Sequence, residues 1–258
     1  HAETLHVSGS DIYENIDHSR GGGLHNSVNL TVETSNVYGN QAGSGGGGGI
    51  SSDAGTVEVS QTAVYSNSAT GSGGGIVHNV DPSAGPNSFT LSNSTVSDNS
   101  TPGAGGGIRN AGAANTTLLN VTLANNEALA PASGRAIAVA DGSLSLKNSI
   151  ITTSQAGSNC SGTISSQGYN IASDSSCSLS GPSDLPNADP RIGALQNNGG
   201  DTLTRALLIA SPAIDSGSGC PSVDQRGAAR PFGPACDRGA YEFDQIIETV
   251  YLPFVIRP

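Results

Sequence analysis

The 258-residue chain contains neither tryptophan nor methionine, and aromatic residues make up only 4% of it. A compact globule of this length ordinarily buries large rings at its centre, and here there are few to bury. Lysine occurs once, at Lys147, and ten basic residues face twenty-one acidic ones for a net charge of -11. An acidic chain repels phosphate backbones, so no nucleic-acid partner is expected. No apolar run reaches the ~18 residues of a membrane span, so no transmembrane segment is expected. There is no CxxC and no histidine near a cysteine, which removes the usual zinc frameworks. The chain starts at His1 without a methionine and reads as a processed or partial product.

What is abundant is small: 36 glycines, with many Ser, Thr, Asn and Ala. Such a composition suits disorder unless the aliphatic residues recur in register. They do. Ile12, Val37, Val64, Val96, Leu123 and Ile151 are separated by 25, 27, 32, 27 and 28 residues. Seven residues before these anchors stand Leu5, Leu30, Val57, Phe89, Thr116 and Leu144. Five before stand Val7, Val32, Val59, Leu91, Leu118 and Leu146, and two before stand Ser10, Ser35, Thr62, Ser94, Val121 and Ser149. Thr116 and Val121 alone depart from the residue type of their rows.

Alternation of apolar positions is the period of a strand with one face buried. Three residues after the anchor come Asn15, Asn40, Asn67, Asn99 and Asn126, with Ser154 in the sixth copy. Asparagine tolerates left-handed backbone and bonds nearby main chain, so it turns a strand, and stacked copies form ladders. Glycine runs then precede an aliphatic residue at Gly21 to Leu24, Gly47 to Ile50, Gly73 to Ile76 and Gly105 to Ile108, with a degenerate copy from Gly134 to Ile137. These repeats are too short for βαβ units and show no helical period. The expected fold is all-β: a right-handed parallel β-helix of six coils over residues 1–157, about 29 Å long at ~4.8 Å per coil. Residues 158–243 are expected to extend or cap it as an irregular disulfide-bonded segment, and 244–258 to form an extended apolar tail strand. Residues 77–88, Ala111 to Asn115 and Glu127 to Ser133 are expected to bulge as loops.

The four cysteines allow three pairings. The local one, Cys160 with Cys177 and Cys220 with Cys236, is the expected one, and it places the protein in an oxidising, extracellular compartment.

The GGGI and VxxN pairs resemble the GGA[ILV] and FxxN repeats of polymorphic outer-membrane proteins and related bacterial β-helices. Gly168 to Phe243 is similar to the C-terminal region of secreted choice-of-anchor proteins. The residues that carry this are Gly168-Tyr169-Asn170, Asp189-Pro190, Asn198-Gly199-Gly200, Ser211 to Asp215, Asp224 to Gly227, Arg230-Pro231 and Cys236 to Phe243. The resemblance implies export and a β-helix. It departs at Val250 to Pro258, which is not a membrane anchor, sorting helix or barrel.

Some right-handed β-helices cleave polysaccharides, which requires carboxylates on adjacent coils or calcium with a basic residue. Here Glu33 and Glu58 sit four and six residues before their anchors and do not stack. His1, His6, His18, His25 and His78 read as surface turn residues. Asp224, Arg226, Arg230, Asp237 and Arg238 form the densest charge cluster, read as ion pairs that hold Gly-rich turns beside a disulfide loop rather than as a catalytic pocket. Asn197 to Asp201 reads as a turn. No catalytic residue, metal or cofactor is expected. The expected function is that of an extracellular structural or surface protein that polymerises through its chain ends or adheres, with a carbohydrate-binding or carbohydrate-cleaving β-helix as the alternative. The first-coil face, Leu5, Val7 and Ile12, and the tail residues Ile246, Ile247, Val250, Tyr251, Leu252, Phe254, Val255 and Ile256 are the candidate contact surfaces.

Overall fold

The computed structural model describes residues 4–81, 83, 87–130 and 133–244. Every element is a strand, and the coils stack in parallel with the register that the apolar rows demand. Ile12, Val37, Val64, Val96, Leu123 and Ile151 pair in an unbroken column, and Leu5, Leu30, Val57, Phe89, Thr116 and Leu144 form a second. Each coil has three sides. A wide side carries two strands, as in Asn29–Glu33 and Asn36–Tyr38, which merge into one in Ser88–Ser97 and Asn115–Ala124. A short side carries a two-residue strand such as Gln41–Ala42, and a third side follows the glycine run, as in Ile50–Ser52. The inward aliphatic side chains form one continuous core from Leu30 to Leu179.

The glycine runs sit where adjacent coils come closest. A Cβ on Gly48 would lie 2.3 Å from the Gly74 carbonyl oxygen and 2.4 Å from that of Ser68, so no other residue fits. The asparagines after the anchors form a buried ladder. The Asn40 side-chain amide donates to Asn67 Oδ1, Asn67 to Asn99 and Asn99 to Asn126, each at 2.9–3.0 Å. The same amides also donate to the anchor carbonyls of the preceding coil, Ile12, Val37 and Val64. The left-handed turn itself falls one residue earlier, at Glu14, Gly39, Ser66, Asp98 and Asn125. The ladder asparagines therefore act through their amides, which satisfy corner backbone groups that no neighbouring strand reaches. The Ser/Thr row two before the anchor is a second ladder of hydroxyls accepting from backbone N–H groups. Val121 interrupts it and joins the apolar core instead.

All three expected loops begin later than the spacing suggests, and the one expected from Ala111 to Asn115 shrinks to Ala113 and Ala114 between the strands Ile108–Gly112 and Asn115–Ala124. Ile76–Val80 is a strand paired with Ile108–Gly112, so the insertion starts only at Asp81; residues 82 and 84–86 within it lie outside the described residues. Glu127–Ala128 likewise pairs with Ser100–Thr101. Of the six Asn-X-Ser/Thr sequons, Asn93, Asn99, Asn120 and Asn159 are buried, which leaves Asn29 and Asn115 accessible.

Past the sixth coil the chain does two things. Cys160–Ser161, Ser165–Ser166, Ile171–Ala172 and Leu185–Pro186 continue the ladders. Residues 189–244 then turn back along the outside of the wide side, beginning with the antiparallel pair Ile192–Gln196 and Thr204–Leu207. Disulfides join Cys160 to Cys177 and Cys220 to Cys236. No helix of the described residues is long and apolar enough to cross a membrane.

Candidate interaction surfaces

The returning segment is held by polar side chains projecting from the left-handed corner between the two wide-side strands, three residues before each anchor. Gln61 Nε2 donates to the Asp224 carbonyl, Asn93 to Val223, Asn120 to Asp237 and Gly239, and Asn148 to Ser218. All four residues have positive φ. This row escaped notice in the sequence because its first two members, Gly9 and Thr34, carry no amide, although the same spacing from the anchors marks it. Next to it, Arg205 is buried and donates to Ser97 Oγ at 2.8 Å and to Asp98 Oδ2 at 2.8 Å.

The charge cluster that closes this segment is internal. Glu242 is 1% exposed and accepts from Arg230 Nη1 at 3.1 Å and from the backbone N–H groups of Phe232 and Asp237, each at 2.9 Å. Arg230 also donates to the carbonyls of Asp237 and Gly239. Arg226 pairs with Asp224 at 2.9 Å and lies over the Tyr241 ring, 3.8 Å from its centroid. Burial pushes the Asp237 carboxyl up to about 7 against the donors from Phe243 and Asp215. Arg238 donates to the Ser216 and Asn170 carbonyls. Each group is committed to a partner inside the fold, with Glu242 the member whose role the sequence did not disclose. The turn at Asn197 to Asp201 joins the two antiparallel strands, with Gly199 N–H donating to Asn197 Oδ1 at 2.9 Å. Among the described residues no group of three or more His, Cys, Asp or Glu is placed to share a metal ion.

The position just after the anchor changes character along the rod. In coils four and five it holds Ser97 and Ala124, both buried beneath the returning segment. In the first three coils it holds Tyr13, Tyr38 and Tyr65, whose rings stack at 5.1 and 4.9 Å with interplanar angles of 7° and 4°. Large rings stand where the cover stops, and small residues where it lies. Because the rings stack face to face, their faces cover one another and only edges and hydroxyls point outward. The exceptions are the two ends of the stack, the outer faces of Tyr13 and Tyr65.

Tyr13 belongs to the first coil, where the strands pair on one edge only among the described residues. Leu5 is 46% exposed and Ile16 66%, whereas Leu30 and Val57, which stack in the Leu5 column, are buried. Val7 and Ile12 are half-buried against the core. The tail residues Ile246 to Ile256 lie outside the described residues.

His78 corrects the expectation that all five histidines are surface turn residues: it is fully buried. Its Nδ1 is 3.1 Å from Thr116 Oγ1, and that hydroxyl donates to Asn110 Oδ1 at 2.6 Å, so Nδ1 carries the proton. This explains why threonine interrupts the aliphatic column at position 116. Nε2 has no partner, and the ring packs against Phe89. Burial lowers the His78 pKa to about 4. The unfolded chain takes up a proton near 6.5 that the folded chain refuses until about 4, so stability is full above 6.5 and is lost as pH falls through that window. The loss amounts to about 3 kcal/mol by pH 4. Guanidinium unfolding at pH 7.5 and pH 4 checks this: the His78→Leu variant is expected to show a drop smaller by about that amount.

Comparison with family models, with curated proteins and with solved structures returned no match.

Proposed function

We propose that this chain is an extracellular structural protein that assembles head to tail through its first coil. One observation carries the reading: among the described residues the first coil pairs on one edge only, and its Leu5, Tyr13 and Ile16 are exposed where inner coils bury the Leu5 column. Such an edge is a template for strand addition, and addition there would also cover the free face of Tyr13. The complementary element in the sequence is the segment containing Ile246, Ile247, Val250, Tyr251, Leu252, Phe254, Val255 and Ile256, in which Pro253 suits an edge strand. A contact between unlike surfaces does not close on itself and propagates as a filament. Two disulfides suit an oxidising compartment. The likeness of the GGGI repeats to polymorphic outer-membrane proteins, and of Gly168 to Phe243 to choice-of-anchor proteins, points to export as well.

The tyrosine row is the observation that speaks for carbohydrate binding. A sugar ring packs on an aromatic face, however, and stacking covers both faces of Tyr38 and one face each of Tyr13 and Tyr65. Assembly therefore accounts for more of the exposed apolar surface.

Deleting residues 245–258 tests the reading. The truncated chain is expected to keep the circular dichroism of the full chain and to be monomeric in light scattering where the full chain is polymeric. An unchanged oligomeric state would reject it.

A further inference from the structure

Among the described residues, the large apolar side chains that remain exposed fall in two places, apart from the isolated Val28 and Leu129. One is the first coil. The other lies on the returning segment, where Leu208, Ile209 and Phe232 are 47%, 59% and 53% exposed. Ile209, Ala210, Ile214, Phe232 and Phe243 line a cleft there of about 470 Å³, enough for several side chains. A soluble surface seldom leaves neighbouring large apolar residues uncovered without an occupant.

The position of Phe243 indicates which occupant. It lines the cleft, and the described chain stops one residue later, at Asp244. Asp244 is tethered by Arg226, 3.2 Å away, so the next residues start at the cleft's margin. Those residues include Ile246 and Ile247, the first apolar pair after Phe243. At ~3.3 Å per extended residue, chain connectivity keeps Ile246 and Ile247 no farther than about 10 and 13 Å from Phe243. A segment joined so closely meets the cleft at an effective concentration in the millimolar range or above, which a separate molecule would not match at ordinary concentrations.

We propose that the Ile209–Phe232 cleft is the seat of Ile246 and Ile247 of the same chain. The proposal concerns Ile246 and Ile247 alone and assigns no place to the residues from Val250 onward. This inference takes Ile246 and Ile247 out of the segment proposed for assembly, and its test reads the monomer.

The absence of tryptophan provides the test. Ile247→Trp in the full chain installs a single fluorophore that reports its own surroundings. Its emission is expected to be blue-shifted and protected from acrylamide at every protein concentration. Adding Ile209→Asn should shift it to the red, whereas the distant Leu129→Asn should not. Both substituted side chains are mostly exposed, so the fold tolerates either change. Water-like emission from Ile247→Trp alone would overturn the proposal. A blue shift that appears only as concentration rises would overturn it too, by assigning the cleft to a second copy. Neither result depends on whether truncation alters oligomeric size.

Discussion

Val64→Asp is expected to unfold the central coils, at a cost of more than about 4 kcal/mol. Val64 is fully buried and pairs with Val37 on one side and Val96 on the other. A carboxylate there has no cation or donor within the core, and burying an unpaired charge is among the costliest single changes. The damage should spread beyond one coil. Each coil is covered only by its neighbours, so a failed coil exposes the apolar faces of the two beside it. Far-UV circular dichroism and hydrogen exchange should show loss of protection on both sides of residue 64. A variant with the parent's thermal midpoint would refute this account of the core.

Arg230→Leu is expected to release the returning segment while leaving the first coils intact. Removing Arg230 strands Glu242 as a buried carboxyl without its guanidinium and leaves the Asp237 backbone carbonyl without its donor, a loss of about 3–5 kcal/mol. The segment is attached to the rod by side-chain amides, the Arg205–Asp98 ion pair and a small apolar cluster of Ile150 and Ile171 with Leu207, Ala213 and Tyr241, rather than by strand ladders, so it can open as a unit. Amides between residues 204 and 242 should exchange faster, while those of Asn29–Glu33 and Thr56–Ser60 keep their protection. Adding Glu242→Leu should restore only part of the loss, because Phe232 and Asp237 would lack an acceptor for their N–H groups. Unchanged exchange in the segment would show that the ion pair does not hold it.

The coil was legible because a solenoid repeats one local problem. Every turn needs an aliphatic anchor inside, an amide to serve the corner and glycine where backbones nearly touch, so Val37, Asn40 and the glycines before Ile50 announce themselves by spacing. The pairing of cysteines 17 and 16 residues apart was legible for a similar reason, since short loops bring their ends together. His78 was not. A histidine outside the aliphatic pattern looks like a turn residue, and only the register that sets Asn110 level with it and Thr116 beside it makes a buried polar site.

The sequence by itself determined the β-helix, its register and its two disulfides, because these depend on contacts between residues one period apart and on short covalent loops. Tertiary structure decided the course of residues 189–244, whose partners in the rod lie up to 167 residues away along the chain. It also decided the meaning of the residues that meet them. Ser97 and Ala124 are small because something lies over them, Tyr13, Tyr38 and Tyr65 are large where that cover ends, and Asn93, Asn120 and Asn148 carry amides because a backbone passes there. Those choices are made by long-range packing, which a one-dimensional pattern does not record.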